Sequence, residues 1–295
     1  MSETIGILHP GEMGISVAAS ARNSGHSVLW AADGRSAETR QRAETQGLVD
    51  AGTLKALCQE CTVIISVCPP HAAEETAQAA LEQGFRGLYV DANAIAPARA
   101  VRIGEALAAG GATFVDGGII GGPAWKPGET WLYLAGEQAG RAAACFTAGP
   151  LETEVLGAEI GRASALKMCY AAVTKGTTAL LCAALGAAEG LGIRGDLERH
   201  WERDEAGSVA RTQRRVQRVT AKAWRFAGEM DEIAATFTSA GMPAGFHQAA
   251  AEIYQRLAGF KAQAETPALE EVLEALGNIY PLPAVSHHFD SRLSE

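Results

Sequence analysis

Short apolar runs and helix-like stretches alternate along the first half of the chain. The apolar runs are continuous rather than interrupted at every second position, and they lie at residues 5–8, 27–30, 62–67, 87–91 and 112–116. Continuous runs of this kind predict β-strands that are covered on both faces. Because helical stretches separate these strands, we expect right-handed crossovers within a parallel sheet.

The second half contains no convincing strand beyond about residue 162. Helical segments are predicted at residues 163–188, 197–227, 229–239, 244–264 and 267–276, and the tail after Pro281-Leu282-Pro283 is predicted to be loosely ordered. The chain is therefore predicted to be an α/β Rossmann-type parallel-sheet domain, residues 1–160, followed by an all-α domain, residues 161–295. A long interdomain helix is expected to connect the two, and the α domain is expected to serve substrate binding and dimerisation.

Composition narrows the function classes. The chain has 295 residues, of which 47% are hydrophobic and 20% charged, as in ordinary globular proteins. A formal charge of −9 argues against a nucleic-acid or anionic-membrane partner. The first residues lack the pattern of a secretory signal, and no bilayer-spanning run is predicted, so a cytoplasmic location is expected. Cys58 and Cys61 have the spacing of a redox or metal pair, but buried thiols are the favoured interpretation and no metal site is expected.

The chain opens with a strand that runs into a glycine turn. His9, Pro10, Gly11, Glu12 and Met13 form the turn, and Gly14 follows it. A strand, a tight turn and a helix start bind a dinucleotide pyrophosphate, because free N–H groups point at the anion. The fingerprint G-x-G-x-x-G is incomplete, since His9 stands at its first glycine. Gly11 keeps the close approach to phosphate and Gly14 keeps the close helix–strand packing.

The end of the second strand bears on the form of the cofactor. A carboxylate at this point receives the ribose of NAD, whereas arginine accepts the extra phosphate of NADP. Asp33 is followed here by Arg35 and Ser36, which together suit a phosphomonoester, and Arg40 lies further along. NADP(H) is therefore the favoured cofactor, and NAD(H) bound through Asp33 is the alternative.

Further motifs resemble those of the β-hydroxyacid dehydrogenases and 6-phosphogluconate dehydrogenases, including the related imine reductases. The resemblance covers nearly the whole chain. The family's proline-containing loop beside the cofactor is matched by Cys68, Pro69 and Pro70, and Asn93 stands at the serine of D-x-S-T-x-x-P. The resemblance implies that these residues bind the cofactor and that Asn93 also contacts substrate.

The family's substrate loop D-A-P-V-S-G-G is matched by residues 116–122. Gly121 and Gly122 keep its glycines, whereas Ile120 replaces its substrate-binding serine. By resemblance, all three residues line the substrate site. The missing hydroxyl and the other departures indicate a divergent branch with a more apolar pocket.

The resemblance also implies a catalytic lysine on the interdomain helix, in the pattern G-x-x-x-K-x-x-N-N. Lys167 stands in the matching place, and Ala171 replaces the substrate-positioning asparagine. A lysine can transfer a proton to or from a substrate oxygen while hydride moves, provided burial lowers its pKa. Tyr170 shares the helix face of Lys167 and is a candidate second proton donor, although simple packing is equally compatible with the pattern.

The family motif K-D-L-x-L-A is represented here by an acidic segment that begins at Glu229. Its substrate-binding lysine is therefore missing, and Glu229 either receives an amine or iminium or pairs with Arg225 one helical turn away. Three hypotheses follow. The first is an NADP(H)-dependent oxidoreductase of a small hydroxy or carbonyl compound with Lys167 as acid/base. The second is an imine reductase using Tyr170 or Glu229, and the third is a non-catalytic NADP(H)-binding protein.

A basic stripe is predicted along one helix of the second half. Arg211, Arg215, Arg218, Lys222 and Arg225 recur at spacings of three and four residues. A solvated face is the ordinary interpretation, and an anion site for a phosphorylated or carboxylated ligand is the alternative. Because related proteins pack this domain against a second subunit, the stripe is also a candidate dimer surface.

The end of that stripe carries two bulky aromatic residues. Trp224 and Phe226 are candidates for apolar pocket wall, and Trp224 is assigned to the substrate site. Bulky residues on helices are nevertheless more often part of a core.

Overall fold

An eight-stranded sheet forms the N-terminal half of the protein. The computed structural model describes residues 2–263 and 265–277. The strands are β1 (Thr4–Ile7), β2 (Ser27–Trp30), β3 (Val49–Asp50), β4 (Val63–Ser66), β5 (Leu88–Asp91), β6 (Thr113–Gly121), β7 (Thr130–Ala135) and β8 (Leu151–Val155). Their order in the sheet is β3-β2-β1-β4-β5-β6-β7-β8. All neighbouring pairs are parallel except β6 and β7.

Helices connect the strands and make up the described chain after β8. They are α1 (Glu12–Asn23), α2 (Ala37–Thr45), α3 (Leu54–Glu60), α4 (Ala73–Glu82), α5 (Pro97–Ala109), α6 (Ala139–Ala143), α7 (Arg162–Gly190), α8 (Arg194–Asp204), α9 (Ser208–Ser239), α10 (Gly245–Arg256) and α11 (Leu269–Gly277). Short 3₁₀ helices lie at Pro70–Ala72, Ala144–Phe146 and Ala258–Ala262. The predicted fold class, a Rossmann-type sheet followed by a helical C-terminal region, is confirmed.

Three strands were absent from the sequence prediction, and one strand is longer than predicted. These strands are β3, which has only two residues, and β7 and β8, which follow β6 in the sheet. The predicted strand at residues 112–116 continues to Gly121 through Gly117 and Gly118. Glycine is depleted in strands, so the pattern alone favoured an earlier end. β7 runs antiparallel to β6, an arrangement that the alternation of strands and helices does not predict.

The sheet is covered on both faces, as its continuous apolar runs predicted. Within β4, Val63 and Ile65 belong to one buried cluster and Ile64 belongs to another. Successive strand residues point to opposite faces, so a run without polar positions requires two apolar layers. This packing fixes the carboxyl ends of β1, β2, β4, β5 and β6, where the candidate site is found.

A close approach of the backbone fixes the turn between β1 and α1. A Cβ atom at Gly14 would lie 2.1 Å from the carbonyl oxygen of His9, a distance that no side chain tolerates. At Gly11 a Cβ atom would meet nothing within 4 Å. Gly14 is therefore required for the fold of the turn, whereas Gly11 leaves open space before the start of α1.

The longest apolar helix is α7. Among the described residues it alone is long and apolar enough to cross a membrane by length and composition, a test that core helices also pass. In the protein, 44% of its most apolar window is buried. Lys167 and Lys175 lie within this helix.

The chain divides into two compact units. The first comprises residues up to Thr177 together with Arg225–Ala251, and it contains the sheet. The second comprises Thr178–Trp224 and the described residues from Glu252 onward. In the second unit, for example, Tyr254 is fully buried and the guanidinium of Arg256 donates to the carbonyl of Leu276 at 2.6 Å.

The two glycines of the opening turn should differ in their contribution to the stability of the protein. We expect Gly14→Ala to lower the free energy of unfolding by about 3 kcal/mol, because the new methyl group overlaps backbone. Gly11→Ala is the matched control and should cost at most about 1 kcal/mol, since its Cβ enters open space at a helix N-cap. Urea unfolding of both variants measures the difference. Equal stabilities would contradict the close packing at Gly14.

Candidate functional site

The predicted cofactor residues meet at the point where the strand order of the sheet reverses. β2 lies on one side of β1, whereas β4 lies on the other, and the amide of Leu8 donates to the carbonyl of Ile65 at 3.1 Å. The turn of residues 9–13 follows β1 at this position. In open α/β sheets, ligands bind in the crevice outside the carboxyl ends of the strands at such a switch point.

The turn presents the start of α1 and a neutral histidine. Gly11 is the N-cap of α1 in extended conformation and no side chain caps the helix, so its first N–H groups are available to an anion. Pro10 contributes no N–H. The Nδ1 atom of His9 is buried and has no hydrogen-bond partner. Burial and the positive charge of Arg35 lower the pKa of His9 to about 4, so the imidazole is neutral at pH 7.

Arg35 is partly buried beside this turn. One terminal nitrogen donates to the carbonyl of Leu8 at 3.3 Å, while its Nε is buried without a partner. Ser36 caps α2 by accepting from the amide of Thr39 at 3.3 Å. Arg40 holds the loop from outside by donating to the carbonyl of Ala32 at 2.6 Å. A guanidinium with an unused donor at the end of β2 fits an anionic group of a dinucleotide.

The amide side chain of Asn93 links the ends of β4 and β5. Its Nδ2 donates to Ser66 Oγ at 3.1 Å and to Asp91 Oδ2 at 2.8 Å, and its Oδ1 accepts from the amide of Cys68 at 2.5 Å. Asn93 is buried, so its polar atoms shape the loop from within the protein. Burial raises the pKa of Asp91 to about 7, against the hydrogen bonds from Asn93.

The proline loop after β4 continues from that link. Pro69 precedes the short 3₁₀ helix Pro70–Ala72, and Pro70 is buried. Burial raises the pKa of the Cys68 thiol, and the positive charge of Arg35 opposes this shift. The structure therefore brings Cys68, Asn93 and Arg35 to one edge of the sheet, together with the turn after β1.

The carboxylate of Asp116 holds the start of α7 against β6. It is fully buried and accepts from the amides of Ala163 and Ser164 at 2.9 and 3.0 Å and from Ser164 Oγ at 2.5 Å. An acidic side chain satisfies orphan N–H groups at a helix N-terminus and complements the helix dipole. The sequence pattern gave Asp116 no such role, because its partners lie 47 and 48 residues away.

Gly118 lets α7 lie directly on β6 at Lys167. A Cβ atom at Gly118 would lie 2.7 Å from the carbonyl oxygen of Ala163 and 3.0 Å from the Cβ of Lys167. The lysine therefore stands beside the predicted substrate loop. In that loop Ile120 is buried, Gly121 has a φ of +127°, and Gly122 has open space at its Cβ position.

Lys167 and Arg225 form a pair of neighbouring cations. Burial, and secondly the charge of Arg225, lower the pKa of Lys167 to about 8. The Nε of Arg225 is buried and has no hydrogen-bond partner. Both side chains are partly buried, and neighbouring cations of this kind favour an anionic or oxygen-bearing ligand. The sequence analysis placed Arg225 in the basic stripe and as a candidate partner of Glu229, and neither interpretation pointed to Lys167.

Glu229, in the acidic segment of α9, pairs with another residue of the protein. Glu229 forms an ion pair with Lys175 of α7, whose Nζ lies 4.5 Å from the ring centroid of Phe226. The alternative that Glu229 pairs with Arg225 is therefore wrong. The physical reason is that Lys175 approaches from a neighbouring helix and is itself largely buried, so the carboxylate compensates its charge.

Glu232 holds the loop between β5 and α5. Its carboxylate accepts from the amide of Ala96 at 2.7 Å and pairs with Arg99 at 2.8 Å. Arg99 also contacts Glu74, whose carboxylate is more exposed and pairs with Arg102 as well. Glu232 was not selected from the sequence, since Ala96 lies 136 residues away.

Two predicted site residues, Tyr170 and Trp224, take no part in the contacts described above. Tyr170 is 49% exposed on α7, where it shares a helix face with Lys167. Trp224 belongs to the second unit, where its ring lies 3.7 Å from Lys261 Nζ.

The last two residues of the predicted cofactor turn differ in burial. Met13 is partly buried and packs against an apolar cluster, and Glu12 is exposed in the first turn of α1.

The cysteines are free thiols. Cys58 and Cys61 are buried, and burial raises their pKa values to about 11 and 12. High pKa values keep both in the unreactive thiol form. Among the residues that the structure describes, no group of three or more histidine, cysteine, aspartate or glutamate side chains is arranged to hold a metal ion.

Two sequence families match the chain. Residues 4–145 match the NAD-binding domain of 6-phosphogluconate dehydrogenase. The N-terminal half of the chain is therefore similar to the NAD-binding domain of 6-phosphogluconate dehydrogenase. Residues 188–257 match a domain of unknown function, DUF1932. The resemblance to the β-hydroxyacid and 6-phosphogluconate dehydrogenases, inferred above from motifs, is confirmed.

One curated protein and one solved structure illustrate what the chain is similar to. An uncharacterized 28.5 kDa protein of Methanothermus fervidus is 29% identical over 164 residues, which are 56% of this chain and 62% of that protein. The conserved protein MTH1747, described as similar to 3-hydroxyacid dehydrogenases, is 28% identical with a TM-score of 0.62 over 88% of this chain and 98% of its own.

More distant solved structures share the fold. The Mycobacterium tuberculosis 3-hydroxyisobutyrate dehydrogenase is 20% identical with a TM-score of 0.64, over 94% of this chain and 99% of its own. The Streptomyces aurantiacus imine reductase is 18% identical with a TM-score of 0.53, over 92% and 99%.

The two carboxylates that contact Arg99 should differ in their effect on stability. We expect Glu232→Ala to lower the free energy of unfolding by about 3 kcal/mol, because it leaves the buried amide of Ala96 without an acceptor and Arg99 without its more buried carboxylate. Glu74→Ala removes the exposed partner and should cost less than about 1 kcal/mol. Chemical unfolding monitored by circular dichroism compares them. A similar cost for both would refute the proposed support of the Ala96 loop by Glu232.

Proposed function

We propose that this protein is an NADP(H)-dependent oxidoreductase that transfers hydride between the nicotinamide and a small hydroxy or oxo acid. The observation that carries the proposal is the pair formed by Lys167, whose pKa is lowered to about 8, and Arg225, whose buried Nε has no partner. The pair stands in the same unit as an NAD-binding domain.

The residues at the switch point fit a nicotinamide dinucleotide. The uncapped start of α1 and the open space at Gly11 suit its pyrophosphate, and the unused Nε of Arg35 suits a further anionic group. When bound, the cofactor supplies or accepts a hydride. Pro69, Pro70 and the loop held by Asn93 border this edge of the sheet, and we assign them to the cofactor's surroundings.

Lys167 is assigned the proton transfer. An amine with a pKa near the working pH exists in both protonation states and transfers a proton with little energetic cost in either direction. In reduction it gives its proton to the carbonyl oxygen, and in oxidation it takes the hydroxyl proton. Asp116 and Gly118 hold it there by fixing α7 on β6.

Arg225 is assigned the substrate's carboxylate. The family's lysine for this task is missing from the segment at Glu229, but a guanidinium binds a carboxylate through two parallel hydrogen bonds. A bound carboxylate would also relieve the repulsion between Arg225 and Lys167. This assignment favours an oxo or hydroxy acid over an uncharged carbonyl compound, while Ile120 adds apolar surface beside it.

The alternative of an imine reductase receives less support from the site. It assigned Glu229 to an amine or iminium, but the charge of Glu229 is already compensated by Lys175. Tyr170, its other candidate donor, is half exposed. A non-catalytic cofactor-binding protein would have no use for a lysine with a lowered pKa.

A substrate panel tests the proposal. NADPH oxidation is followed spectrophotometrically with aldehydes, short 2-oxo and 3-oxo acids, and cyclic imines. Turnover with oxo acids, and its loss in Arg225→Gln, are the expected results. Turnover restricted to imines would instead support the imine reductase, and cofactor binding without turnover across the panel would support the non-catalytic alternative.

The pH dependence follows from Lys167. Reduction requires the protonated amine, so its rate should fall as the pH rises through about 8, and oxidation should rise over the same range. Lys167→Met should lower kcat by about 10²–10⁴-fold and abolish this pH dependence. Steady-state rates across the pH range provide the measurement. Full turnover in Lys167→Met would end the assignment.

Cofactor preference follows from Arg35. We expect Arg35→Gln to weaken NADPH binding by about tenfold, which corresponds to the loss of about 1.4 kcal/mol, and to leave NADH binding nearly unchanged. Arg102→Gln, at an exposed arginine of α5, is the control variant. Fluorescence titration with both cofactors measures the effect. Tighter binding of NADH than NADPH by the unaltered protein would contradict the role of Arg35.

A further inference from the structure

Four arginines of α9 line one cavity in the second unit. The cavity has a volume of about 410 Å³ and is lined by Arg211, Arg214, Arg215, Arg218, Thr178 and Val219. The arginines are three or four residues apart or adjacent, so they occupy one face of the helix. All four side chains are exposed, whereas Thr178 and Val219 are buried and form the inner wall.

Two of these arginines are held in place by the protein. Arg215 donates from Nε to Thr178 Oγ1 at 2.8 Å. Arg211 pairs with Glu205 at 2.5 Å and donates to the carbonyl of Ala206 at 3.2 Å. These contacts orient two guanidinium groups along the cavity. Arg214 and Arg218 line the same cavity, one helical turn apart, and both are exposed.

The cluster is electrostatically unfavourable by itself. Four like-charge pairs at spacings of three and four residues repel each other along α9, and each such pair destabilises a helix. Glu205, which pairs with Arg211, is mostly exposed. The whole chain carries a net charge of −9, so this concentration of positive charge runs against its composition. A bound anion would offset the repulsion.

We propose that this cavity binds a small molecule carrying a phosphate monoester or diphosphate group. Guanidinium groups match the oxygens of a phosphoryl group through paired hydrogen bonds, and several of them suit its double charge better than the single charge of one carboxylate. The volume lies in the range of small-molecule sites and exceeds the size of a phosphate group alone. The residues that line this cavity are not among those assigned above to the cofactor or to the substrate.

Isothermal titration with pyrophosphate and with inorganic phosphate tests the site. Saturating NADPH is present throughout, because the turn after β1 also suits phosphoryl groups. The double variant R214Q/R218Q retains the two arginines that the protein orients. We expect it to weaken pyrophosphate binding at least about tenfold and to reduce the dependence of affinity on salt. The test compares the pyrophosphate affinity of this variant with that of the unaltered protein, so its result is valid whether or not NADPH supports turnover.

A matched double variant controls for the loss of two positive charges. R199Q/R203Q alters exposed arginines of α8 in the same unit and should leave pyrophosphate binding unchanged. Circular dichroism confirms that both variants fold. Equal affinity in all three proteins, or no binding at millimolar pyrophosphate, would overturn the proposal. A change of molecular mass in R214Q/R218Q without a change in pyrophosphate binding would also overturn it, and would identify the cluster as a contact between subunits.

Discussion

The contact between the carboxylate of Asp116 and the start of α7 is the constraint on which the candidate site depends. A helix that begins inside the protein has N–H groups that water cannot reach, and an acidic cap satisfies them at a gain of about 1 kcal/mol or more. Asp116 supplies that cap from the middle of β6. Since Gly118 lies two residues further on, the same strand both fixes α7 and admits it at close range. The depth of Lys167 is a consequence of these two residues.

The distribution of charge in the first unit distinguishes Lys167 and Arg225 from Lys175 and Arg99. Lys175 pairs with Glu229, and Arg99 is shared between Glu232 and Glu74. These acids compensate buried charge, which would otherwise be costly. Lys167 instead has Arg225 as the charge that affects it most, so both burial and repulsion favour the neutral amine. A ligand with an anionic group would compensate the positive charge of Lys167 and Arg225, as the carboxylates do for Lys175 and Arg99.

Much of the fold could be predicted from the sequence because its signal is local. Continuous apolar runs gave five strands, and the long apolar segment after residue 162 gave α7. The signal failed where strands contain glycine or are very short, as in the extension of β6 and in β3. Turn chemistry was also local: Gly14 was assigned to close packing, and its Cβ position indeed lies against the backbone of His9.

The site could be predicted only in part, because several of its contacts join distant positions. Asp116, Glu232 and Arg225 act through partners that periodicity does not reveal. The pairing of Glu229 shows this most clearly. A helical spacing of four residues favoured Arg225, whereas the fold brings Lys175 from α7. Asn93 was selected by resemblance for contact with ligands, and the structure uses its amide to join β4 and β5.

The most direct test of this account is the titration of the Lys167 amine itself. NMR of protein labelled with isotope in its lysine side chains follows each amine against pH, and the signal missing from Lys167→Met identifies the one of interest. The account predicts a pKa of about 8 in the absence of an anionic ligand. A pKa near the ordinary lysine value of about 10.4 would contradict it, since Lys167 would then be neither desolvated by α7 and β6 nor affected by Arg225.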